Sequence, residues 1–302
     1  MNIFRLEADE SCMGERVDKF LSLMLPGKSR SYLQKIIGEG SVLVNGKPVK
    51  ASCRLEDQDE VLIHLPELTE PKIEAENIPL DILYEDADLL IVNKPKGMVV
   101  HPSAGHSSGT LVNAVMYHCR GQLSGINGSL RPGIVHRIDK DTTGALVVCK
   151  NDYAHSHVAE QLKVHSITRK YRAVVNGVIR EEDGVIDAPI GRHPAERKRM
   201  AVNEKNGRRA VTHYRVLHRF ANHTYIECQL ETGRTHQIRV HMAFIRHPIL
   251  GDTVYGPEKN PYHLEGQTLH AQILGLIHPV TGEYIEVEAP LPEYFQKLLK
   301  KL

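Results

Sequence analysis

The stretch Tyr225-Ile226-Glu227-Cys228-Gln229-Leu230-Glu231-Thr232-Gly233-Arg234-Thr235-His236-Gln237-Ile238-Arg239-Val240-His241-Met242 changes its period part-way along. Ile226, Cys228 and Leu230 alternate with Tyr225, Glu227 and Gln229, the period of a half-buried strand. Beyond the polar turn, Ile238, Met242 and Ile245 fall on one helical face, with Thr235 read as the N-cap. A strand therefore runs into a helix through a turn rich in Thr, Gly and Arg, a place where side chains can point into a cleft.

Outward from there, strands dominate. Leu89–Val92 and Ala145–Val148 are apolar runs, and Tyr171–Val175 is a further strand. From residue 80 on, helical spacing is confined to Leu111–Tyr117, Tyr153–Lys163, His236–Ile245 and the segment after Pro292. Strands and helices do not alternate strictly. That predicts an α+β fold with a largely antiparallel mixed sheet, not a doubly wound one.

Pro66, Pro71 and Pro79, set among several acids, mark residues 64–79 as an extended linker. It divides the chain into a small module at 14–75 and a larger domain at 80–302. In the module Val17, Phe20, Leu21 and Met24 give one helical face, and Leu33, Ile36 and Ile37 give a second. Ser29 or Ser31 caps the second helix, and Gly38 and Gly40 stop it. Val42-Leu43-Val44 runs into Asn45-Gly46, a two-residue hairpin turn, and Val61-Leu62-Ile63 supplies a later strand.

Composition sets the bounds. The 302 residues are 41% hydrophobic and 25% charged, enough for a core and too apolar for global disorder. No apolar run approaches the roughly 18 residues that a spanning helix needs. The start, MNIFRLEADESC, lacks the basic and apolar regions of a secretory signal, and the five cysteines contain no CxxC pair. A cytoplasmic protein with reduced thiols is expected. The net charge is only +1, but Arg192, Arg197, Lys198, Arg199, Lys205, Arg208 and Arg209 cluster against Glu196 and Glu204. Such a strip can bind phosphates, or it can be a solvated hairpin.

Chemistry concentrates in three motifs. In the first, Arg131-Pro132-Gly133-Ile134-Val135-His136-Arg137-Ile138-Asp139-Lys140-Asp141-Thr142-Thr143-Gly144, a polar loop precedes a buried strand. Asp139 there can be nucleophile, general base or, with Asp141, a metal clip; both can also simply cap the loop. In the second, Arg234 can pair with a carboxylate or form a structural salt bridge. His236 and His241 are five residues apart and no HExxH occurs, so no metal site is assigned. In the third, Thr168-Arg169-Lys170-Tyr171-Arg172, the Tyr can stack on a base or merely pack in the strand.

Two resemblances follow. Glu15–Leu21, Ser29-Arg30-Ser31, Gln34–Ile37 and Gly40–Lys47 resemble an S4 RNA-binding domain. In that family the helical pair meets structured RNA, which implies contacts from Arg16, Lys19, Arg30 and Lys35. Asn93–Pro102, His136–Gly144, Arg169-Lys170-Tyr171, Thr232–His241 and Leu269-His270-Ala271 together resemble the RluA-type pseudouridine synthases. With the S4-like module, the large-subunit ribosomal pseudouridine synthase D group is the most similar. The resemblance implies isomerisation of uridine to pseudouridine within RNA, either large-subunit ribosomal RNA or an assembling particle. That chemistry needs no redox step and no activated donor, so no cofactor is expected, and a monomer is expected. It implies Asp139 as the essential residue, Arg137 filling the space of a flipped base, and Tyr171 stacking on that base. It further implies Arg234 pairing with Asp139, and Leu269 as an apolar wall. Competing readings are a non-catalytic RNA-binding protein on the same scaffold and a metal-dependent hydrolase using Asp139, Asp141 and histidines.

Overall fold

A strand that is apolar at every position needs cover on both faces of its sheet. Leu89–Val92 and Ala145–Val148 receive it. Leu90, Val92, Leu146 and Val148 pack with Leu111, Val112 and Val115 on one side. Leu89, Ile91, Ala145 and Val147 pack with Ala154 and Val158 on the other. The computed structural model describes the chain except residues 1, 27, 66–72, 103–104, 129–130 and 197–198. The chain forms two compact units, Met1–Glu70 and Pro71–Leu302.

The first unit begins with strand β1 (Asn2–Glu7), ahead of the boundary at residue 14 expected from sequence. Helices α1 (Val17–Met24) and α2 (Arg30–Gly38) follow, then β2 (Val42–Val44), β3 (Lys47–Pro48) and β4 (Glu60–Leu65). The sheet order is β1-β4-β2-β3, antiparallel throughout. The Ser29 hydroxyl accepts from the Tyr32 N–H and so starts α2. Asn45 (φ 51°) and Gly46 (φ 73°) make the β2–β3 turn, both left-handed as a type I′ turn requires. Val17, Phe20, Leu21, Leu33, Ile36 and Ile37 face Val42, Val61 and Ile63 in one core. Met24, expected on that inner face, is 47% exposed. Of the expected linker, residues 66–72 lie outside the described residues.

The second unit contains β5 (Ile82–Glu85), β6 (Leu89–Lys94), α3 (Leu111–His118), β7 (Thr143–Cys149), α4 (Asp152–Lys163) and β8 (Thr168–Asn176). It continues with β9 (Asp183–Asp187), β10 (Ile190–Arg192), β11 (Met200–Val202), β12 (Val211–Arg219) and β13 (His223–Leu230). It closes with α5 (Gln237–Phe244), β14 (Leu269–Ile277), β15 (Tyr284–Glu288) and α6 (Glu293–Leu299). The large sheet runs β5-β6-β7-β14-β8-β13-β12-β9, with β15 added to β14. Of its pairings only β7 with β14 is parallel, so the fold is the mixed, mostly antiparallel α+β class expected.

The parallel junction depends on Gly144. Its φ of 110° suits glycine, and a Cβ there would run into the carbonyl of Ala271 on β14. That close approach fixes where the polar loop before β7 ends, and so where Asp139 sits. β10 and β11 form a separate two-stranded hairpin, Ile190 to Val202, whose inner side packs on Val240 of α5 and on Tyr255.

Candidate active site

The loop before β7 and the start of α5 face each other across a cleft of about 590 Å³. Asp139, Arg137, Tyr171, Arg234 and Leu269 all line it. The sequence-predicted set of the larger domain is thus brought together from four separate segments. α4 supplies part of the opposite wall, through Ala159, Leu162 and Lys163.

The Asp139 loop is held from below by a buried cation. Lys94, at the end of β6, has no exposure. Its Nζ donates to the carbonyls of Pro95 (2.9 Å), Met98 (2.8 Å) and Lys140 (3.0 Å). Three N–H groups meet three acceptors, and one of these is the residue after Asp139. Burial depresses the Lys94 pKa to about 7, against the pull of Asp141 and Asp139. Thr143 Oγ1 lies 2.8 Å from Nδ1 of His270, which ties the far end of the loop to β14.

The partner of Asp139 is not the one expected. Arg234 Nε donates to the carbonyl of Arg209 at 3.0 Å, and its side chain stands at the cleft wall. Arg239 takes the expected place: its Nη1 donates to Asp139 Oδ2 at 2.9 Å. The helix explains the exchange. α5 starts only at Gln237, with His236 rather than Thr235 at the N-cap, so Arg239 lies in the first turn. Gln237 folds back to accept the Arg234 N–H (2.9 Å) and the Thr232 hydroxyl (2.7 Å), which closes the turn.

Arg239 is itself anchored. Its Nε and Nη2 donate to Asp252 at 2.7 and 2.9 Å, a two-pronged contact. Asp252 is 1% exposed and also accepts the N–H groups of Val254 (2.9 Å) and Tyr255 (3.1 Å). Burial alone would lower the Arg239 pKa. Hydrogen bonds and charge from Asp252, then from Asp139, outweigh it and leave the guanidinium above its usual value. Asp139 thus meets a cation fixed in place. No motif in the sequence marks Asp252 or Tyr255; the one local feature is that the Asp252 carboxylate caps the N–H groups two and three residues on. Arg239 lies in the same motif as Arg234, five residues further on, and nothing in the spacing alone distinguishes the two.

Of the remaining lining residues, Tyr171 is 7% exposed, and burial raises its phenol pKa. Leu269 is 4% exposed at the start of β14. Arg137 is exposed, with Nη1 3.5 Å from His101 Nε2. Burial lowers the His101 pKa to about 4, so this ring is a neutral neighbour for the guanidinium near neutral pH. On the basic strip, Lys205, Arg208 and Arg209 are exposed; Arg197 and Lys198 lie outside the described residues.

Among the described residues, the group with metal-ligand spacing is Asp86, Asp88 and His278, apart from Asp139 and Asp141. There His278 Nδ1 accepts N–H groups of Val280 (3.2 Å) and Thr281 (3.1 Å), while Nε2 lies 2.7 Å from Asp86. The proton therefore sits on Nε2 and no lone pair is left for a metal.

In the first unit the four candidate RNA contacts all have acidic partners. Arg16 and Arg30 donate to Asp18, at 3.0 Å each, and that carboxylate has no exposure. Gln34 adds a third contact to it at 2.6 Å. Lys19 pairs with Glu15 at 2.5 Å and Lys35 with Glu39 at 3.7 Å, both at the surface.

The chain as a whole is similar to known proteins. Residues 88–244 match the family model of RNA pseudouridylate synthase, and residues 15–61 match that of the S4 domain. An uncharacterized RNA pseudouridine synthase of Bacillus subtilis (strain 168) is 53% identical over 302 residues, covering 100% of this chain and 99% of that protein. Ribosomal large subunit pseudouridine synthase D of Zymomonas mobilis is 46% identical, covering 97% of this chain and 95% of that protein. The structure of human RNA pseudouridylate synthase domain containing 4 superposes with a TM-score of 0.58 at 27% identity, over 74% of this chain and 92% of that one. The chain belongs to the RNA pseudouridylate synthase family, with an S4 domain at its N-terminal end. It is an RNA pseudouridine synthase.

Proposed function

We propose that this synthase acts on uridines of large-subunit ribosomal RNA and that Asp139 is its catalytic carboxylate. The observation that carries the reading is the placement of Asp139 in the cleft, its Oδ2 held at 2.9 Å by the anchored Arg239. The relatives that bear the name ribosomal large subunit pseudouridine synthase D, nearly full-length matches, support the choice of RNA.

In the reaction the N1–C1′ bond of uridine breaks, the base turns, and a C5–C1′ bond forms. The C5 proton is lost and N1 gains one, so no electrons are exchanged and no cofactor is called for. The target must first leave its stack, at a cost of a few kcal/mol. Tyr171 offers an aromatic face for it, and base–aromatic stacking contributes about 1–3 kcal/mol. Arg137 occupies the vacated space, Leu269 walls the pocket, and Arg234 at the cleft wall meets the backbone. In the S4 domain, Arg16, Lys19, Arg30 and Lys35 contact RNA phosphates by giving up part of their pairing with carboxylates. The enzyme works as a monomer in the cytoplasm.

The test is to incubate unmodified transcripts of large-subunit, small-subunit and transfer RNA with the protein and map pseudouridines by carbodiimide-dependent reverse-transcription stops. New stops in the large-subunit RNA are expected. Stops confined to transfer RNA would contradict the choice of substrate.

A further inference from the structure

His236 has a conformation that needs an explanation. Its φ of 57° and ψ of 22° are left-handed, uncommon for a residue other than glycine, and its side chain makes no cap for α5. The ring is held from the other side. Nδ1 lies 2.9 Å from the Tyr255 hydroxyl, and that hydroxyl accepts the N–H of Met200 at 3.0 Å. Met200 begins β11 of the hairpin, and the segment after β11 carries Lys205 and Arg208; Arg208 exchanges both backbone hydrogen bonds with Ile190 of β10, at 2.9 Å each. Because Oη already accepts from Met200, its own proton is free to go to Nδ1. That leaves the imidazole proton on Nε2, which points at Asp139 Oδ1 from 3.8 Å, just beyond a hydrogen bond. The Tyr255 ring carries Arg239 on it at 5.1 Å and Arg199 of the hairpin at 5.4 Å.

We propose that Tyr255 and His236 couple the basic hairpin to the catalytic carboxylate. Tyr255 touches everything on the path: the hairpin backbone, the His236 ring and the Arg239 guanidinium. A small inward shift of the hairpin, when RNA phosphates settle on Lys205 and Arg208, carries Tyr255 with it. His236 Nε2 then closes from 3.8 Å to hydrogen-bonding distance of Asp139. The carboxylate gains its second donor only when RNA is docked, so docking away from the cleft is converted into rate within it. His236 and Tyr255 are positioning residues: neither needs to touch the base.

The inference rests on the reading of Asp139 as catalytic, and its test separates the two. Single-turnover tritium release from 5-tritiated RNA, at saturating enzyme, is compared with RNA affinity for four proteins. These are wild type, Tyr255→Phe, Lys205→Ala/Arg208→Ala and the combined variant. Tyr255→Phe is expected to leave affinity unchanged and to lower the rate about ten- to a hundredfold, the scale that a misplacement of about 1 Å brings. The hairpin variant is expected to lose affinity and also rate. In the Tyr255→Phe background the same two changes are expected to lose affinity alone. His236→Asn, which tolerates the left-handed backbone, should reproduce the rate loss of Tyr255→Phe. Rate losses that multiply in the combined variant, or a wild-type rate for Tyr255→Phe, would overturn the coupling. A wild type that releases no tritium would instead overturn the functional reading.

Discussion

Arg239 reaches Asp139 across 2.9 Å with one nitrogen while its other two nitrogens each donate to Asp252. The guanidinium therefore cannot follow the carboxylate if the carboxylate moves. It fixes one oxygen and leaves Oδ1 turned toward His236. A preorganised cation of this kind stabilises charge at no cost of reorganisation during the reaction.

Arg239→Lys keeps a charge but cannot span both carboxylates, since an ammonium lacks the planar fork. Single-turnover rates should fall by about 10²–10³-fold, the scale for losing a preorganised donor. Arg234→Gln should weaken RNA binding and leave the rate at saturation near that of wild type. The opposite ranking would restore Arg234 as the partner of Asp139.

Asp252→Asn removes the anchor and leaves Arg239 with one carboxylate in a buried setting. Breaking one half of a buried pair costs about 3–5 kcal/mol. Thermal melting should show the loss, and turnover should fall with it. A variant of unchanged stability would mean that Arg239 stands without its second partner.

Lys94→Met fills the space but strands the carbonyls of Pro95 and Met98 in the interior, each costing about 1–3 kcal/mol. The Lys140 carbonyl, beside Asp139, keeps the Gly97 N–H but loses its second donor. Urea unfolding should show a large destabilisation. At a temperature where the variant is still folded, the Asp139 loop should exchange its amides faster than in wild type.

Asp18 titrates with folding of the first unit. Hydrogen bonds, from Arg16 first and then Gln34 and Arg30, overcome burial and hold its pKa well below the usual carboxylate range. A depressed folded value means that the unfolded state binds the proton first as pH falls. The stability that Asp18 contributes is complete above about 3.9, the unfolded value, and declines as pH drops toward the folded one. The gap in amide protection of α1 and α2 between wild type and Asp18→Asn should therefore be constant above pH 5 and shrink below about 4. A gap that persists undiminished to pH 2 would contradict the assignment.

Much of this was legible in the sequence. Strand alternation from Tyr225 to Leu230, the Asn45-Gly46 turn and the apolar faces of α1 and α2 are local signals, and each gave its element. The loop carrying Asp139 could be placed because Gly144 and a buried strand end it. Partner choice was less legible. Whether Arg234 or Arg239 meets Asp139 depends on where α5 begins, and Gln237 decides that by folding back onto Thr232 and the Arg234 N–H. Asp252 and Tyr255 arrive from a loop 13 or more residues beyond Arg239, so no spacing rule could join them to the site. The pairing of Arg16 and Arg30 on Asp18 also needed the fold, because helix α2 brings Arg30 back over α1.

Under the proposed function, Asp139 performs the isomerisation. The most direct test is tritium release from large-subunit RNA labelled at uridine C5, with wild type beside Asp139→Asn, the variant first shown to melt as a folded protein. Wild type is expected to release tritium and Asp139→Asn none, at equal RNA binding. Release by the variant at a rate near that of wild type would contradict it.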